Sequence, residues 1–368
     1  MLKTILFDKI ALLRGLLTKE YAYVGPLHIT IDTTRRCNLR CLGCRYQDPR
    51  VNFPSTGGQK GMDVSLDLLK QLCKDAKPMG TNAMILTGEG EPFLHPQYPD
   101  VISTIKESGY HLTARTNGTL MKDEIIHKMI DLKVDVLKVS LWATSIEEYQ
   151  HLYPGVNTDN FNKIIEGLKR VARIKQERRS ELPSLIIHQV VNKYNFSTVE
   201  KMVDLIHQAG CDGLYFAPFK AWKGALTSVF LSTDEEKELE RQMVIARKKM
   251  STLGIQHNVP TALLRFKTGN EVWKKYPCYV AWFHARVKLD GTVIPCDPYT
   301  VAVGNLNQER MPQIWNNEHY RNFRRKTLSR EGLVDICRES DCGFCCHLGY
   351  NARIHRVGKW LKLTSTWR

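Results

Sequence analysis

Between residues 27 and 254, short apolar runs alternate with longer segments whose apolar residues recur at helical spacing. The runs are typical of buried strands and the segments of amphipathic helices. The strand candidates are Leu27–Asp32, Ala83–Gly88, His111–Thr116, Val136–Trp142, Ser184–Val191 and Gly213–Phe219. Helices are expected at about 63–77, 97–108, 123–132, 160–177, 197–209 and 233–253. Six alternating units predict a parallel sheet with right-handed crossovers, too few for a closed eight-fold barrel.

Local signals mark several helix ends. Glycines at Gly109, Gly210 and Gly254 stand where a helix C-terminal glycine belongs. The patterns S-x-x-E from Ser197 and T-x-x-E from Thr233 are those of capping boxes, in which two side chains satisfy free N–H groups. We therefore expect the last two helices to begin there.

The first residues form a separate amphipathic pattern. Apolar residues at helical spacing predict a helix, and basic residues lie between them: Leu2, Leu6, Ile10, Leu13 and Leu17, with Lys3, Lys9 and Arg14. The helix either packs against the bottom of the barrel or lies on a membrane surface together with the basic tail. That tail, residues 351–368, has five basic residues, two tryptophans and no acid.

Composition limits the class of protein. The 368 residues are 43% hydrophobic and 25% charged, as in globular proteins of about two domains. No secretory signal and no apolar run of about 20 residues is apparent, so we expect a cytoplasmic protein, peripheral to the membrane at most. The net charge of +15 favours an acidic partner, and several arginines crowd the segment 35–50.

Eleven cysteines occur in clusters, which favours thiolate metal sites in a reducing cytosol over a disulfide framework. Cys37, Cys41 and Cys44 have the spacing C-x3-C-x2-C just after the first predicted strand. Structural zinc sites need four closed ligands, and cubane iron–sulfur clusters are normally held by four cysteines. Three cysteines leave one iron open to another ligand, although a zinc knuckle also remains possible.

This motif, with Asn38 and Leu39 inside it and Tyr46 shortly after, resembles that of the radical S-adenosylmethionine (SAM) enzymes. The resemblance implies an open, partial (β/α)6 TIM-type barrel and a [4Fe-4S] cluster on Cys37, Cys41 and Cys44. It also implies that SAM chelates the open iron and is cleaved to a 5′-deoxyadenosyl radical that abstracts hydrogen from the substrate. A reductant such as flavodoxin or ferredoxin would then be a partner.

The ends of the predicted strands carry the residues that the resemblance assigns to SAM. The sequence L-T-G-E-G-E-P at 86–92 resembles the family's Gly-Gly-Glu motif, so Glu91, or less well Glu89, would bind the methionine amino group. The cofactor-binding candidates are Gly88, Gly90, Glu91, Asn117, Ser140 and Asn192. Arg115, Tyr215 and Lys220 are candidate substrate contacts by position only, and no catalytic residue is assigned.

A second cysteine group begins at Cys278 and reads C-x12-G-x4-C up to Cys296. The turn at Asp290-Gly291 predicts a hairpin that brings these two cysteines together. With the following G-N-L and a Trp-bearing helix, this block resembles the SPASM/twitch extension. Only six cysteines follow from Cys278 onward, which favours the twitch form with one auxiliary [4Fe-4S] cluster. The predicted ligands are Cys278, Cys296, Cys342 and Cys345, where Cys337 or Cys346 could replace one, and a zinc hairpin is the alternative.

The predicted domains are an N-terminal helix over 1–25, the radical SAM partial barrel over 26–254, a SPASM/twitch-like domain over 255–350 and the basic tail over 351–368. We expect an enzyme that abstracts hydrogen from a small or lipid-linked anionic substrate, such as a sugar, nucleotide or headgroup carbon. The outcome would be oxidation, epimerisation or rearrangement, with the auxiliary cluster as electron relay. The short segment before the first strand argues against a peptide-binding domain. The alternatives are a peptide-modifying maturase and a non-catalytic zinc protein that binds nucleic acid; specific nucleic-acid binding is not expected of the enzyme.

Overall fold

The computed structural model describes residues 2–51, 62–220, 226–269, 272, 275–297, 301–339 and 345–360. Its strands are β1 His28–Asp32, β2 Ala83–Thr87, β3 His111–Thr116, β4 Val136–Ser140, β5 Ser184–Val191, β6 Gly213–Pro218, β7 Gln256–His257, β8 His284–Val287, β9 Thr292–Ile294 and β10 Gly304–Asn305. Its helices are α1 Leu2–Thr18, α2 Leu66–Ala76, α3 Tyr98–Glu107, α4 Asp123–Asp131, α5 Ile146–Leu152, α6 Asp159–Glu177, α7 Val199–Gln208, α8 Thr233–Thr252, α9 Val259–Thr268, α10 Met311–Trp315, α11 Glu318–Thr327, α12 Arg330–Glu339 and α13 Leu348–Trp360.

The six predicted strand–helix units are all present, and the sheet extends beyond them at both edges. Strands β1 to β7 run parallel in chain order, and the short β7 adds to β6. At the other edge β8 pairs parallel with β1, placing His284 beside His28. The predicted hairpin is confirmed, since β9 pairs antiparallel with β8 around Gly291, whose φ is +79°. One ten-stranded sheet therefore carries both cysteine groups.

The helix-end signals were partly right. Gly109, Gly210 and Gly254 have φ of +76°, +73° and +69°, the left-handed conformation expected after a helix. Of the two capping boxes, the one predicted at Thr233 lies one residue earlier, where Ser232 and Glu235 exchange hydrogen bonds. The one predicted at Ser197 was wrong, because that residue lies in a short 3-10 turn and Thr198 precedes α7 without a side-chain cap.

Alternating positions of the strands face opposite sides. Leu112, Ala114, Leu137 and Val139 are fully or almost fully buried in the core, whereas the residues between them are partly exposed. The two remaining cysteines of the barrel region, Cys73 and Cys211, are buried core residues.

Helix α1 packs near the start of the hairpin. An added Cβ at Gly15 would lie 3.0 Å from the Trp282 ring, so the helix backbone approaches that indole closely. Ile10 and Leu17 are 57% and 60% exposed. Within the described parts of the chain, none of the helices has the length and apolarity needed to cross a membrane.

Candidate radical and auxiliary cluster sites

The cysteine loop after β1 brings three thiols close together. A turn joins the N–H of Cys44 to the carbonyl of Cys41, and the N–H of Leu42 binds the carbonyl of Leu152. Burial raises the pKa of Cys37 to about 11 and that of Cys41 well above its ordinary value, and the neighbouring thiolates add to the shift. Three converging thiols that repel one another when ionised suit a cationic iron centre, which favours the thiolate forms.

The glycine-rich turn after β2 lies directly beneath this loop. The N–H of Glu91 donates to the carbonyl of Arg36 at 2.7 Å. A Cβ at Gly90 would come within 2.1 Å of that carbonyl oxygen, and one at Gly88 within 2.9 Å of the Thr34 carbonyl. These glycines are required because two backbones meet here, a requirement separate from the predicted contact with SAM.

The two glutamates of this turn have different environments. Glu91 is buried and accepts hydrogen bonds from the Thr116 hydroxyl and from the N–H groups of Asn117 and Phe93. Burial raises its pKa to about 7, which these three donors only partly offset. Glu89 forms salt bridges with Arg35 and Lys288. Glu89 is thus already paired with two cations, and Glu91 is the better candidate for the amino group of SAM.

Asn117 is hydrogen-bonded to the cysteine loop. Its amide Nδ2 donates to Asn38 Oδ1 at 2.9 Å, and Asn38 in turn donates to the Thr119 hydroxyl. Ser140 ends β4 beside His188 of β5. Asn192 is 1% exposed, and its amide is occupied in a local turn with Val190 and Tyr194. The roles of these residues toward SAM stay predictions.

The crowded arginines of the loop do not form a free basic surface. Arg35 pairs with Glu89, Arg36 with Asp63, Arg45 with Asp297 and Arg50 with Asp48. Four of the five loop arginines therefore already have an acidic partner, and Arg40 is the one exposed without an ion pair among the described residues, so the loop gives little support to the expectation that it attracts an anion.

A group of cationic side chains lies instead inside the barrel. Arg115 of β3 is in register with Lys138 of β4, and His188 of β5 is in register with Tyr215 of β6. The Lys138 Nζ lies 4.8 Å from the Tyr215 ring centroid. Burial, together with the charge of Arg115, lowers the pKa of Lys138 to about 7. Arg265 of α9 completes this group of residues, which we call the lumen cluster.

The side chains of the lumen cluster also interact electrostatically with one another across the barrel. Burial lowers the pKa of His188 well below its ordinary value, and Lys138, Arg115 and Arg265 lower it further. Arg115 likewise acts on His28 of β1, across the sheet. The Nε atoms of Arg115 and Arg265 are buried without a hydrogen-bond partner among the described residues. Groups that repel in this way are suited to an anionic ligand.

A charged seam joins the hairpin to the barrel. Arg286 of β8 forms salt bridges with Asp32 at the end of β1 and with Asp297 after β9. Although burial opposes ionisation, Arg286 and Arg45 hold the pKa of Asp297 well below its usual range. The seam carboxylates pair with Arg286 and Arg45, and Asp297 also interacts favourably with Arg115, so the seam offsets part of the positive charge of the lumen cluster.

The second cysteine group lines one pocket at the other end of the strands. The pocket contains five of its cysteines together with His347 and Asn351: Cys278, Cys296, Cys337, Cys345 and Cys346. The His347 ring lies 4.6 Å from that of His284 and 6.3 Å from that of His28, the first residue of β1. The predicted ligand Cys342 lies outside the described residues.

In the described chain no group of three His, Cys, Asp or Glu side chains has the arrangement of a site for a single metal ion. The donors present are thiols in two groups, and thiolate ligands are those that iron–sulfur clusters use. The chemistry of the donor sets therefore fits such clusters.

Sequence reasoning named Arg115 and Tyr215 but missed Lys138, Arg265, Arg286 and Lys288. Lys138 was visible as a charged residue within an apolar strand, two positions before Ser140. For Arg265 and Arg286 no local signal existed, because they reach the lumen and the seam through the packing of α9 and β8.

Comparisons with known proteins agree with this geometry. Residues 31–206 match the model of the radical SAM superfamily, and residues 278–343 match the SPASM iron–sulfur cluster-binding domain. A tungsten-containing aldehyde ferredoxin oxidoreductase cofactor-modifying protein of Pyrococcus furiosus is 22% identical over 338 residues, 86% of each chain. A probable GTP 3′,8-cyclase of Saccharolobus solfataricus is 26% identical over 275 residues, covering 73% of this chain and 82% of the relative.

Solved structures support the fold. Streptococcus suis SuiB bound to its precursor peptide SuiA superposes with a TM-score of 0.63 at 17% identity, covering 82% of this chain and 67% of that one. From the two family models, the cofactors of the present chain are a SAM-binding [4Fe-4S] cluster, SAM and an auxiliary iron–sulfur cluster of the SPASM domain. The alternative of a non-catalytic zinc protein is not supported. The chain belongs to the radical SAM superfamily and is a radical SAM enzyme with a C-terminal SPASM domain.

Proposed function

We propose that the enzyme acts on a small anionic substrate whose charged group is bound by the lumen cluster. The observation that carries this proposal is the group of cationic side chains around His188: Arg115 lies in register with Lys138 and lowers its pKa, and both of them and Arg265 act on His188. Bringing such groups together costs folding free energy unless a ligand offsets it. A phosphate or carboxylate group would accept their hydrogen bonds and restore charge balance.

We infer that the lumen cluster lies between the two cysteine sites. The radical loop follows the C-terminal end of β1. At the other end of this strand its first residue, His28, lies near His347 of the auxiliary pocket. Arg115 interacts electrostatically with Cys346 and with His347, both at the edge of the auxiliary pocket. A substrate on Arg115 would therefore lie between the group that starts the reaction and an electron acceptor.

When bound, the radical loop cluster and SAM supply the species that removes a hydrogen atom from the substrate. The residues of this chain would orient the substrate and exclude water. Arg115 would hold the anion, and Lys138, with its pKa lowered to about 7, is suited to accept or return a proton. The proposed outcome is oxidation, epimerisation or rearrangement, and the auxiliary cluster would take up the second electron where oxidation occurs.

The relatives include one named for a nucleotide substrate, the probable GTP 3′,8-cyclase, and this agrees with an anionic substrate. SuiB, which was crystallised with a precursor peptide, represents the competing class. The peptide-modifying alternative remains the second candidate, because SuiB has the same fold as this chain. A reductant is required in either case, and we propose a flavodoxin or ferredoxin.

Binding of a lipid-linked substrate at the membrane surface remains a proposal. Ile10 and Leu17 of α1 are exposed and would supply apolar contacts. The last residues of the predicted basic tail, 361–368, lie outside the described residues.

The experiment is anaerobic turnover of the reconstituted enzyme with nucleotides, sugar phosphates, dicarboxylates, neutral sugars and peptides. Deuterium transfer from labelled substrate into 5′-deoxyadenosine identifies the class. For the accepted anion, Arg115→Gln should lower kcat/KM roughly 10- to 150-fold, the value of a charge-assisted hydrogen bond of about 1.5–3 kcal/mol. Substrate-independent cleavage of SAM should persist.

The matched control is Arg178→Gln, which removes an exposed arginine paired with Asp131 on the outer surface. It should leave kcat/KM unchanged. Efficient deuterium transfer from an uncharged peptide, or an Arg115→Gln variant with unaltered kinetics, would contradict the proposal.

A further inference from the structure

Asn351 is a buried asparagine in the first turn of α13, six residues after Cys345. Its side chain is 3% exposed, and its own N–H continues the helix by binding the carbonyl of His347. Sequence analysis placed residues from 351 onward in a basic tail and assigned Asn351 no role. The structure places it instead at the wall of the auxiliary pocket.

Both ends of its amide have partners. The Oδ1 accepts a hydrogen bond at 2.9 Å from the N–H of Tyr279, the residue after Cys278. The Nδ2 lies 3.7 Å from the sulfur of Cys278 and 3.8 Å from that of Cys345. A backbone N–H can only donate, so the amide atom facing it must be the oxygen and the NH2 group must face the sulfurs.

We propose that Asn351 is a positioning residue that joins Cys278 to Cys345 and raises the reduction potential of the auxiliary cluster. Both cysteines are predicted ligands of that cluster. Reduction adds negative charge that is shared with the ligand sulfurs, and two N–H donors directed at them stabilise the reduced form. Because the site is buried and largely apolar, the effect of each donor is larger than it would be in water.

The residue type matches this role. An aspartate at 351 would place a carboxylate against two thiolates, and a leucine would fill similar space without a donor. A neutral amide alone combines an acceptor for Tyr279 with two donors for the sulfurs. The same side chain thereby fixes the pocket geometry and adjusts how readily the cluster accepts an electron from a reacting substrate.

The test is a redox titration of the auxiliary cluster, followed by electron paramagnetic resonance. It uses a background in which Cys37, Cys41 and Cys44 are all alanine, so that only the auxiliary signal remains. Asn351→Leu should shift the midpoint potential to a more negative value, and Asn351→Asp should shift it further. The readout does not depend on the substrate proposed above, so failure of either idea is distinguishable.

The matched control is His355→Leu, one turn further along α13. His355 is 4% exposed and binds the Tyr279 hydroxyl at 3.2 Å, so it tests loss of a buried contact to the same tyrosine. It should leave the potential unchanged. An unchanged potential in both Asn351 variants would overturn the proposal.

If Asn351→Leu holds no auxiliary iron, Asn351→Ser keeps a shorter donor and should show a smaller negative shift. Loss of auxiliary iron in all three Asn351 variants, but not in His355→Leu, would also overturn the proposal. The residue would then serve cluster assembly alone.

Discussion

The two cysteine sites of this enzyme are built in different ways. Cys37, Cys41 and Cys44 lie within eight residues on one loop, which the turn at Gly90 and the Asn117–Asn38 hydrogen bond support. The auxiliary cysteines come from segments that are far apart in the chain, before β8, after β9 and before α13. They meet because the hairpin pairs with β1 and α13 packs on α9.

The first site is therefore a largely local property of the sequence, whereas the second is a product of tertiary structure. Perturbing the charged seam between hairpin and barrel should affect the auxiliary site first. Perturbing the backbone under the radical loop should do the opposite.

The largest expected effect comes from removing one cysteine ligand from either site. Cys41→Ala should abolish reductive cleavage of SAM, because the cluster that the cofactor binds loses a ligand. Cys278→Ala should retain substrate-independent cleavage while losing the auxiliary iron, about half of roughly eight irons if there are two [4Fe-4S] clusters. Iron analysis and 5′-deoxyadenosine formation measure both quantities.

Cys211→Ala is the control for cysteine loss as such. Cys211 is a 7% exposed core residue, so its removal should leave both iron content and cleavage intact. If Cys278→Ala eliminated cleavage as completely as Cys41→Ala, the two sites would not be independent.

The second largest effect is expected from breaking the charged seam between hairpin and barrel. Arg286→Met removes the cation shared by the buried Asp32 and the half-buried Asp297. Lys288 and Arg45 remain as partners of these carboxylates, so the cost should lie at or below the about 3–5 kcal/mol of a fully broken buried pair. We expect a lower free energy of unfolding and preferential loss of auxiliary iron, measured by chemical denaturation and by iron analysis. Arg241→Met, which removes an exposed pair with Glu238, should change stability by no more than about 1 kcal/mol. Equal iron loss from both sites would contradict the tertiary origin of the second.

Gly90→Ala reverses this test. The added Cβ would lie 2.1 Å from the Arg36 carbonyl, so the cysteine loop must move. Overpacking of this kind costs about 1–3 kcal/mol, and iron should be lost from the radical site while the auxiliary signal remains. Gly349→Ala is the comparison, because its nearest neighbour is a Thr261 methyl at 3.1 Å, which can shift more easily than backbone. A normal radical cluster in Gly90→Ala would show that the close contact is unimportant.

The same contrast explains what the sequence could predict. The cysteine spacing, the strand ends and the hairpin at Gly291 are local patterns, and the six strands and the hairpin formed where these patterns indicated. The pairing of β8 with β1 depends on contacts over about 250 residues, so neither the Arg286 seam nor the wall of the auxiliary pocket at Asn351 was visible. The loop arginines were misleading because a cluster of charges in the sequence does not reveal which of them are paired, as Arg45 is with the distant Asp297.

The smallest effect concerns the space between the sites. Burial and Arg115 lower the pKa of Lys138 to about 7, so the side chain carries a charge below pH 7 and loses it as the pH rises further. An anion should therefore bind more weakly above pH 7, by up to about tenfold per pH unit while the ligand itself does not titrate. Isothermal titration of the identified substrate between pH 6 and 9 measures this slope. Lys138→Met should bind weakly at all these pH values and show no slope, whereas a wild-type affinity that is independent of pH would place the anion away from Lys138.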